Sequence, residues 1–457
     1  MTTTYLDIAV VHIQAWLGRT PLLRGRRGAS TMLSEATSRQ CIERQLSDSS
    51  LAQTVEWNEE AGDIDGVVSL KLRTGEDATE DVERVVVRHL RHALPAATFR
   101  ASVWRGSDYA EARTSEEPVR QREWPEPVAE WSPGRRCDWC ERWPASYERR
   151  TRRREGEDSK DSALCSDCSR REEKAGYSTS HANSPGPEKA LLDRIPDQRV
   201  QLPTSVPDTF ECLAQLGRSG DDTHVATIAA DGNGIGAFMT SVRTTSGSAV
   251  TDLPRRIHEA TWMALVDALT EITADDHEHV PVIPHLVGGD DVLVSVPAHR
   301  GWAFADRVRQ AFSERLRRQC DDMDGDVDIP TMSLGLVVHH RTVPIFVVVE
   351  LAETLLSRAK NDWAAETTAL AWHDITNEGP EPNDRPSFGC DTLRSFWPAL
   401  NELAEIPTSG LRRLASLTGS AELDGHLDRL GLRETVDTFR GNSDLPLQHA
   451  LEMVRWW

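Results

Sequence analysis

Gly288-Gly289-Asp290-Asp291 runs directly into Val292-Leu293-Val294-Ser295-Val296, a glycine turn between short apolar runs. Two glycines and two carboxylates in a row suit a hairpin turn, and the apolar run after them suits a buried strand. The chain must therefore carry paired carboxylates at the end of a sheet, where divalent metals and nucleotides could be handled. Gly-Asp dipeptides also punctuate hairpins for conformational reasons alone. The chemistry depends on what the rest of the chain brings to this turn.

With 457 residues the chain exceeds one ordinary core, and several domains are expected. A formal net charge of -21 argues against coating nucleic acid through a global field, although local basic patches remain able to bind it. No apolar stretch is long enough to span a bilayer, and the N-terminus lacks the basic-then-apolar pattern of a signal peptide. A cytoplasmic location and no membrane partner are expected. Cys41, Cys212, Cys320 and Cys390 are dispersed and read as small buried hydrophobes. The other four cysteines form Cys137-Asp138-Trp139-Cys140 and Cys165-Ser166-Asp167-Cys168, flanking a basic insert that includes Arg149-Arg150-Thr151-Arg152-Arg153-Arg154. Two such knuckles can present four thiolates tetrahedrally to structural Zn2+, stapling a segment too polar to build a core.

Residues 5–13 and 64–72 read as strands, separated by the basic, glycine-broken Arg24 to Ser30 segment and a helix reaching about residue 46. Residues 84–88 read as further β material, and the Pro-, Glu- and Trp-rich run near 117–133 as a boundary. Residues 176–207 suit a linker. A second α/β unit opens with Val225-Ala226-Thr227-Ile228-Ala229-Ala230, a buried-type strand ending in Asp231-Gly232-Asn233-Gly234-Ile235-Gly236. Helical spacing follows over 256–272, then the hairpin around the acidic turn, then a helix marked by Trp302, Ala305, Val308, Ala311, Phe312 and Leu316. A strand from Met332 to Val338, a helix from Pro344 to Lys360 and a strand near 368–375 complete an order close to the split βαββαβ plan. From residue 391 onward the apolar spacing is mostly helical.

In that plan the first strand lies beside the central hairpin, so Asp231 can face Asp290 and Asp291. Three carboxylates that close would repel one another and raise their pKa values unless a cation lay between them. Mg2+ or Mn2+ suits hard oxygen ligands and phosphate, and two such ions could activate a hydroxyl while bracing an α-phosphate as pyrophosphate leaves. Gly232, Gly234 and Gly236 let backbone N–H groups approach phosphate oxygens, and Gly288 and Gly289 leave room for a base or ribose. Lys360 is a candidate counter-charge for a triphosphate, although a lysine ending a helix is also favoured by the helix dipole. His285 reads as a core or hydrogen-bonding residue, and the His373-Asp374 dipeptide is assigned no nuclease role.

Through Asp231-Gly232-Asn233-Gly234-Ile235-Gly236, Gly288-Gly289-Asp290-Asp291, Ser333-Leu334-Gly335 and Ala352-Glu353 to Ala359-Lys360, the chain resembles the large polymerase-cyclase subunit of type III CRISPR effector complexes. That family is related to polymerase palms and diguanylate cyclases. The resemblance implies an α+β fold: a first palm-like domain over 1–130 without an acidic turn, a four-cysteine zinc-ribbon-like module over 131–175 and a linker over 176–207. A second, catalytic palm over 208–376 and a C-terminal helical domain over 377–457 would follow. It also implies that Asp231, Asp290 and Asp291 are metal ligands and catalytic, that Asn233, Ile235 and the neighbouring glycines bind nucleotide, that Ser333 belongs to the nucleotide pocket and that Lys360 touches the triphosphate.

The implied activity is conversion of ATP into 3′–5′ cyclic oligoadenylates that activate a separate antiviral effector, under the control of guide and target RNA bound through other subunits. Asp63-Ile64-Asp65-Gly66 does not repeat the acidic turn, so the first palm is expected to form the facing wall of the nucleotide site. Arg24 to Ser30 is the place where its charge could touch nucleotide or guide RNA. The chain begins at the first palm strand, without the histidine-aspartate nuclease domain that such subunits often carry, so cleavage of single-stranded DNA is not expected. Two alternatives stand beside this one. In the first, a cyclase makes a different cyclic or linear oligonucleotide in a reduced standalone system, where a homodimer could form. In the second, the chain is a non-catalytic scaffold for a guide-RNA complex.

Overall fold

In a computed structural model, β1 (Thr3–Val11) is an inner strand of a five-stranded antiparallel sheet. The structure describes residues 2–62, 64–73, 78–114, 117–127, 134–151, 160–175, 186–195, 202–217, 223–246, 252–274, 278–321, 328–363, 367–382, 384–420, 422–442 and 445–457. The other strands of the first sheet are β2 (Val55–Trp57), β3 (Val67–Leu72), β4 (Thr98–Gly106) and β5 (Arg120–Trp124), in the order β2-β3-β1-β4-β5. Leu6 and Ile8 point to the same face as Val68 and Leu70, where the helices Leu23–Thr37 and Thr79–Ala93 cover them.

Residues 84–88, expected as β material, are helical instead, inside Thr79–Ala93. Their β-branched residues favour strands locally, but Val82, Val86, Val87 and Leu90 fall on one buried helical face. Glu80 and Asp81 in the first turn, with Arg91 and His92 in the last, complement the helix dipole. The single helix expected up to residue 46 is two, Leu23–Thr37 and Arg39–Asp48, broken at an extended Ser38.

The cysteine module follows, with a hairpin of β6 (Tyr147–Thr151) and β7 (Lys160–Leu164) and the helix Ser166–Lys174 starting at the second knuckle. Arg149 and Arg150 lie on β6; Arg152, Arg153 and Arg154 of the basic insert, like Asp63 earlier, lie outside the described residues. Within the stretch read as a linker, residues 187–194 form a helix whose Leu191 joins the core of the second unit, and 176–185 and 196–201 lie outside the described residues.

The second sheet contains β8 (His224–Gly232), β9 (Ile283–Gly288), β10 (Asp291–Pro297), β11 (Met332–His340), β12 (Ala369–Asp374) and β13 (Phe388–Gly389), ordered β13-β12-β11-β8-β10-β9. Both faces of this sheet are covered, and successive side chains alternate between them with the two-residue strand period. Ala226, Ile228 and Ala230 of β8, with Val292 and Val294 of β10, meet the helices Leu253–Ile272 and Gly301–Gln319. Val225, Ala229 and Leu293 face the opposite way, toward the helix Ile345–Asp362. His285 is buried there, its Nε2 2.8 Å from Ser295 Oγ, in the hydrogen-bonding role expected of it. The C-terminal helices, among them Cys390–Ala404 and Thr408–Leu417, extend the first of these two cores through Leu400, Leu403 and Leu414. No helix among the described residues is long and apolar enough to cross a membrane.

The two units meet at β9. Ser30 Oγ of the helix Leu23–Thr37 donates to the His285 carbonyl at 2.9 Å, and Leu286 packs against the cores on both sides. That contact carries the acidic turn, just beyond β9, toward the first unit.

Candidate active site at the end of the second sheet

β8 ends at Asp231, and its neighbours fix what stands beside it. Val292 of β10 pairs with Ala230, while Ser333 of β11 pairs with Asp231 itself. By strand alternation Asp231, Asp291 and Ser333 all belong to the face covered by the helix Ile345–Asp362. Lys360, near the end of that helix, forms an ion pair with the Asp231 carboxylate and donates to the Gly232 carbonyl at 3.0 Å. The register thus brings together the strand-end aspartate, the hairpin carboxylates and the lysine.

The loop after Asp231 is held from below. Asn233 is buried: its backbone N–H donates to the Thr331 carbonyl at 2.8 Å, and its side-chain Nδ2 to Thr331 Oγ1 at 2.8 Å and Ser333 Oγ at 3.0 Å. Ser333 Oγ also receives the Ala369 N–H at 3.3 Å, so this 1 % exposed hydroxyl supports the loop rather than opening to the cleft. Gly234 and Gly289 adopt left-handed φ of 67° and 62°, which side-chain-bearing residues rarely take. Gly232 is required by close approach: a Cβ there would lie 2.6 Å from Ile235 Cγ1 and 2.8 Å from Asp290 Oδ2. Gly236 and Ile235 begin the helix Ile235–Ser246, with Gly236 exposed, and Gly288 faces Ile64 of the first unit.

Asp290 and Asp291 each come within hydrogen-bonding reach of Asp231. Loss of hydration first, then the hydrogen bond and charge of Asp231, push Asp290 up to about 7. Asp291 opens to solvent on one side, yet the surrounding protein strips much of its hydration; with the charges of Asp231 and Asp290 this pushes it up to about 8. Lys360 opposes both shifts. A cluster of acids still this reluctant to ionise beside an ammonium group has room for more positive charge. Asp231, shared by both partners, is the hub of that cluster.

The four knuckle cysteines form the second candidate centre. Among the described residues they alone bring three or more His, Cys, Asp or Glu ligand atoms within 4.8 Å of one another. All four are buried and none is in a disulfide. Cys140 Sγ and Cys165 Sγ are 3.8 Å apart, the edge of a thiolate tetrahedron with metal–sulfur bonds of about 2.3 Å. Cys165 Sγ also caps the following helix by accepting from the Cys168 N–H at 3.4 Å. The donor set is compatible with zinc.

Arg24 to Ser30 does not offer the free charge expected of it. Arg24 pairs with Glu172 at 2.6 Å, Arg27 pairs with Glu188 and donates to the Pro207 carbonyl at 3.0 Å, and Arg26 is fully buried with Gln14. Arg24 thus ties the first unit to the cysteine module, and Arg27 ties it to the chain leading into the second unit.

One site residue carried no sequence signal. His258, on the helix Leu253–Ile272, receives the Gly289 N–H at Nδ1, 3.2 Å away. It precedes the turn by about thirty residues in an ordinary amphipathic helix, and only the packing of that helix under the hairpin brings the two together.

Residues 224–368, which hold all three aspartates, Ser333 and Lys360, match the family model of the second palm domain of Cas10/Cmr2. The second unit is a Cas10-like palm. The fold of the whole chain is similar to that of a Csm1–Csm4 cassette in complex with cA4 (TM-score 0.54, 14% identity, covering 99% of this chain and 69% of the other). It is likewise similar to the cassette in complex with AMPPNP and to Csm1 of T. onnurineus, each with TM-score 0.51, 14% identity and the same two coverages. The expected palm fold is therefore present. No curated protein matches the chain by sequence.

Proposed function

We propose that this chain is a metal-dependent nucleotidyltransferase that converts ATP into 3′–5′ cyclic oligoadenylates within a type III CRISPR defence system. The observation that carries the proposal is the convergence of Asp231, Asp290 and Asp291 inside the matched palm domain, with Asp290 and Asp291 raised to about 7 and about 8. Structures of similar fold hold pppApA, AMPPNP, cA3 and cA4, a series that runs from a substrate analogue through a linear dimer to closed rings.

The 3′-hydroxyl of one adenosine would attack the α-phosphate of an ATP, forming a P–O bond as the bond to pyrophosphate breaks and the hydroxyl proton is lost. Repetition, then attack by the terminal 3′-hydroxyl on the α-phosphate of the chain's own 5′-triphosphate, with loss of the hydroxyl proton and a further pyrophosphate, closes the ring. Asp231, Asp290 and Asp291 would hold Mg2+ or Mn2+. The bound cation would lower the pKa of the attacking hydroxyl and neutralise charge on the phosphates. Lys360, beside Asp231, would contact the triphosphate, and the N–H groups of Gly234 to Gly236 would contact phosphate oxygens. Asn233, propped by Ser333, keeps that loop at its height. Ile64 of the first unit, facing Gly288, forms part of the opposite wall. Cys137, Cys140, Cys165 and Cys168 would hold structural Zn2+. Control by target RNA, through a guide-RNA complex containing a Csm4-like subunit, belongs to the same proposal.

Incubation with ATP and Mg2+ or Mn2+, together with the native partner subunits and target RNA, should yield pyrophosphate and cyclic oligoadenylates identifiable by mass spectrometry. An Asp290→Ala/Asp291→Ala double variant should fold and make none. Product from that variant, or none from the activated wild-type complex, would overturn the proposal.

A further inference from the structure

Two N–H groups converge on His258. The Gly289 amide points at Nδ1 and the Trp262 indole N–H at Nε2, each at 3.2 Å. A neutral imidazole accepts through only one nitrogen, because the other carries the proton. His258 is neutral at pH 7: burial, then the charge of Arg194, pushes it down to about 4. Two donors therefore compete for one acceptor.

The backbone and the intrinsic chemistry favour the same donor. Trp262 lies one helical turn from His258, so its contact stays within one helix and sets the position of no other element. The Gly289 amide cannot turn away without altering the left-handed backbone that precedes Asp290. The more stable tautomer of a neutral histidine carries its proton on Nε2, leaving Nδ1 free to accept. The same end of this helix is braced by the first unit, where a Cβ at Gly62 would lie 3.4 Å from the Arg255 nitrogen.

We propose that His258 is a positioning residue for the acidic turn: its Nδ1 accepts the Gly289 N–H and so sets where Asp290 stands relative to Asp231. That the turn is catalytic rests on the function proposed above; that His258 holds its geometry does not.

Asparagine and glutamine separate the two nitrogens, since Asn Oδ1 overlays His Nδ1 and Gln Oε1 overlays Nε2. His258→Asn, His258→Gln and His258→Ala would be compared by hydrogen exchange over residues 286–293, by affinity for Mn2+ alone and by product formation in the activated complex, with melting temperature reporting on folding. Losing one hydrogen bond at the turn should speed exchange at Gly289 and weaken Mn2+ binding by about tenfold in the Gln and Ala variants. The Asn variant should stay within about threefold of wild type on both. Product formation should fall in the same order. Equal behaviour of the Asn and Gln variants, or wild-type exchange in the Ala variant, would overturn the inference. Should the wild-type complex make no product while exchange and Mn2+ affinity keep this order, the cyclase proposal falls and the role of His258 stands.

Discussion

At the scale of single residues, the acidic site ties stability to pH in a direction opposite to that of most aspartates. Asp290 and Asp291 rise from an ordinary 3.8 to about 7 and about 8, so the folded protein binds protons that the unfolded chain has already released. Their favourable contribution is complete below pH 3.8 and is lost as pH climbs through 7 and 8. Without divalent cations, wild-type protein should lose melting temperature relative to an Asp290→Asn/Asp291→Asn variant between about pH 5 and pH 8. Added Mg2+ should restore the wild type at pH 8 and leave the variant unmoved, because only the ionised carboxylates gain from a cation. Scanning calorimetry of both proteins across that range would show it, and parallel curves would mean that the three carboxyl groups do not share a field.

Between neighbouring elements, the position of Lys360 depends on how closely its helix lies on the sheet. A Cβ at Gly335 of β11 would overlap the Ala352 carbonyl and press on Leu355 of that helix at 3.1 Å. Gly335→Ala should therefore lift the helix, cost about 1–3 kcal/mol through overpacking and draw Lys360 away from Asp231. Its denaturation midpoint should fall together with ATP turnover, whereas turnover unchanged at a lowered midpoint would show that the lysine does not depend on this packing. At this scale much was legible in the sequence. β8, β10, β11 and the helix Ile345–Asp362 are written in apolar runs and spacings, and a βαββαβ order brings Asp231 beside the turn. The valines of 84–88 were misleading because their strand preference is local, while the face they share with Val82 and Leu90 serves a tertiary contact. Ser333 could be assigned to the strand from sequence, but whether its hydroxyl faced the cleft or Asn233 depended on how the loop folds over it. His258 was illegible for the same reason: its partner is a backbone N–H on a distant turn.

Across the whole molecule, the cysteine module works as a clamp on the first unit. Its helix Ser166–Lys174 lies against the helix Leu23–Thr37 so closely that a Cβ at Gly28 would overlap the Arg171 carbonyl. The Arg171 guanidinium is wholly buried. It pairs with Asp167 at 2.7 Å, donates to the Trp16 carbonyl at 2.7 Å and the Leu17 carbonyl at 3.1 Å, and lies 4.6 Å from the centre of the Trp16 ring. The basic residues Arg24, Arg26 and Arg27 looked like an external surface because composition does not reveal which charges meet intramolecular partners. Folded, Arg24 joins this clamp through Glu172, Arg27 holds the chain that follows the module, Arg26 bonds Gln14, and the helix that carries them reaches β9 through Ser30. Arg171→Ala should strand Asp167 and two carbonyls in the interior and cost about 3–5 kcal/mol, while leaving the four thiols in place. Elemental analysis should then still find one zinc per chain at a lowered melting temperature. Stripping the metal with a high-affinity chelator should melt the module itself and lower the first unit with it, because Trp16 and Leu17 lose the same guanidinium. Limited proteolysis would separate the two cases: cleavage within 134–175 after chelation, and an intact module in Arg171→Ala. A first unit whose melting is unmoved by either treatment would mean that the clamp is a contact without energetic weight, since the buried ion pair and both carbonyl hydrogen bonds would then have been replaced at no cost.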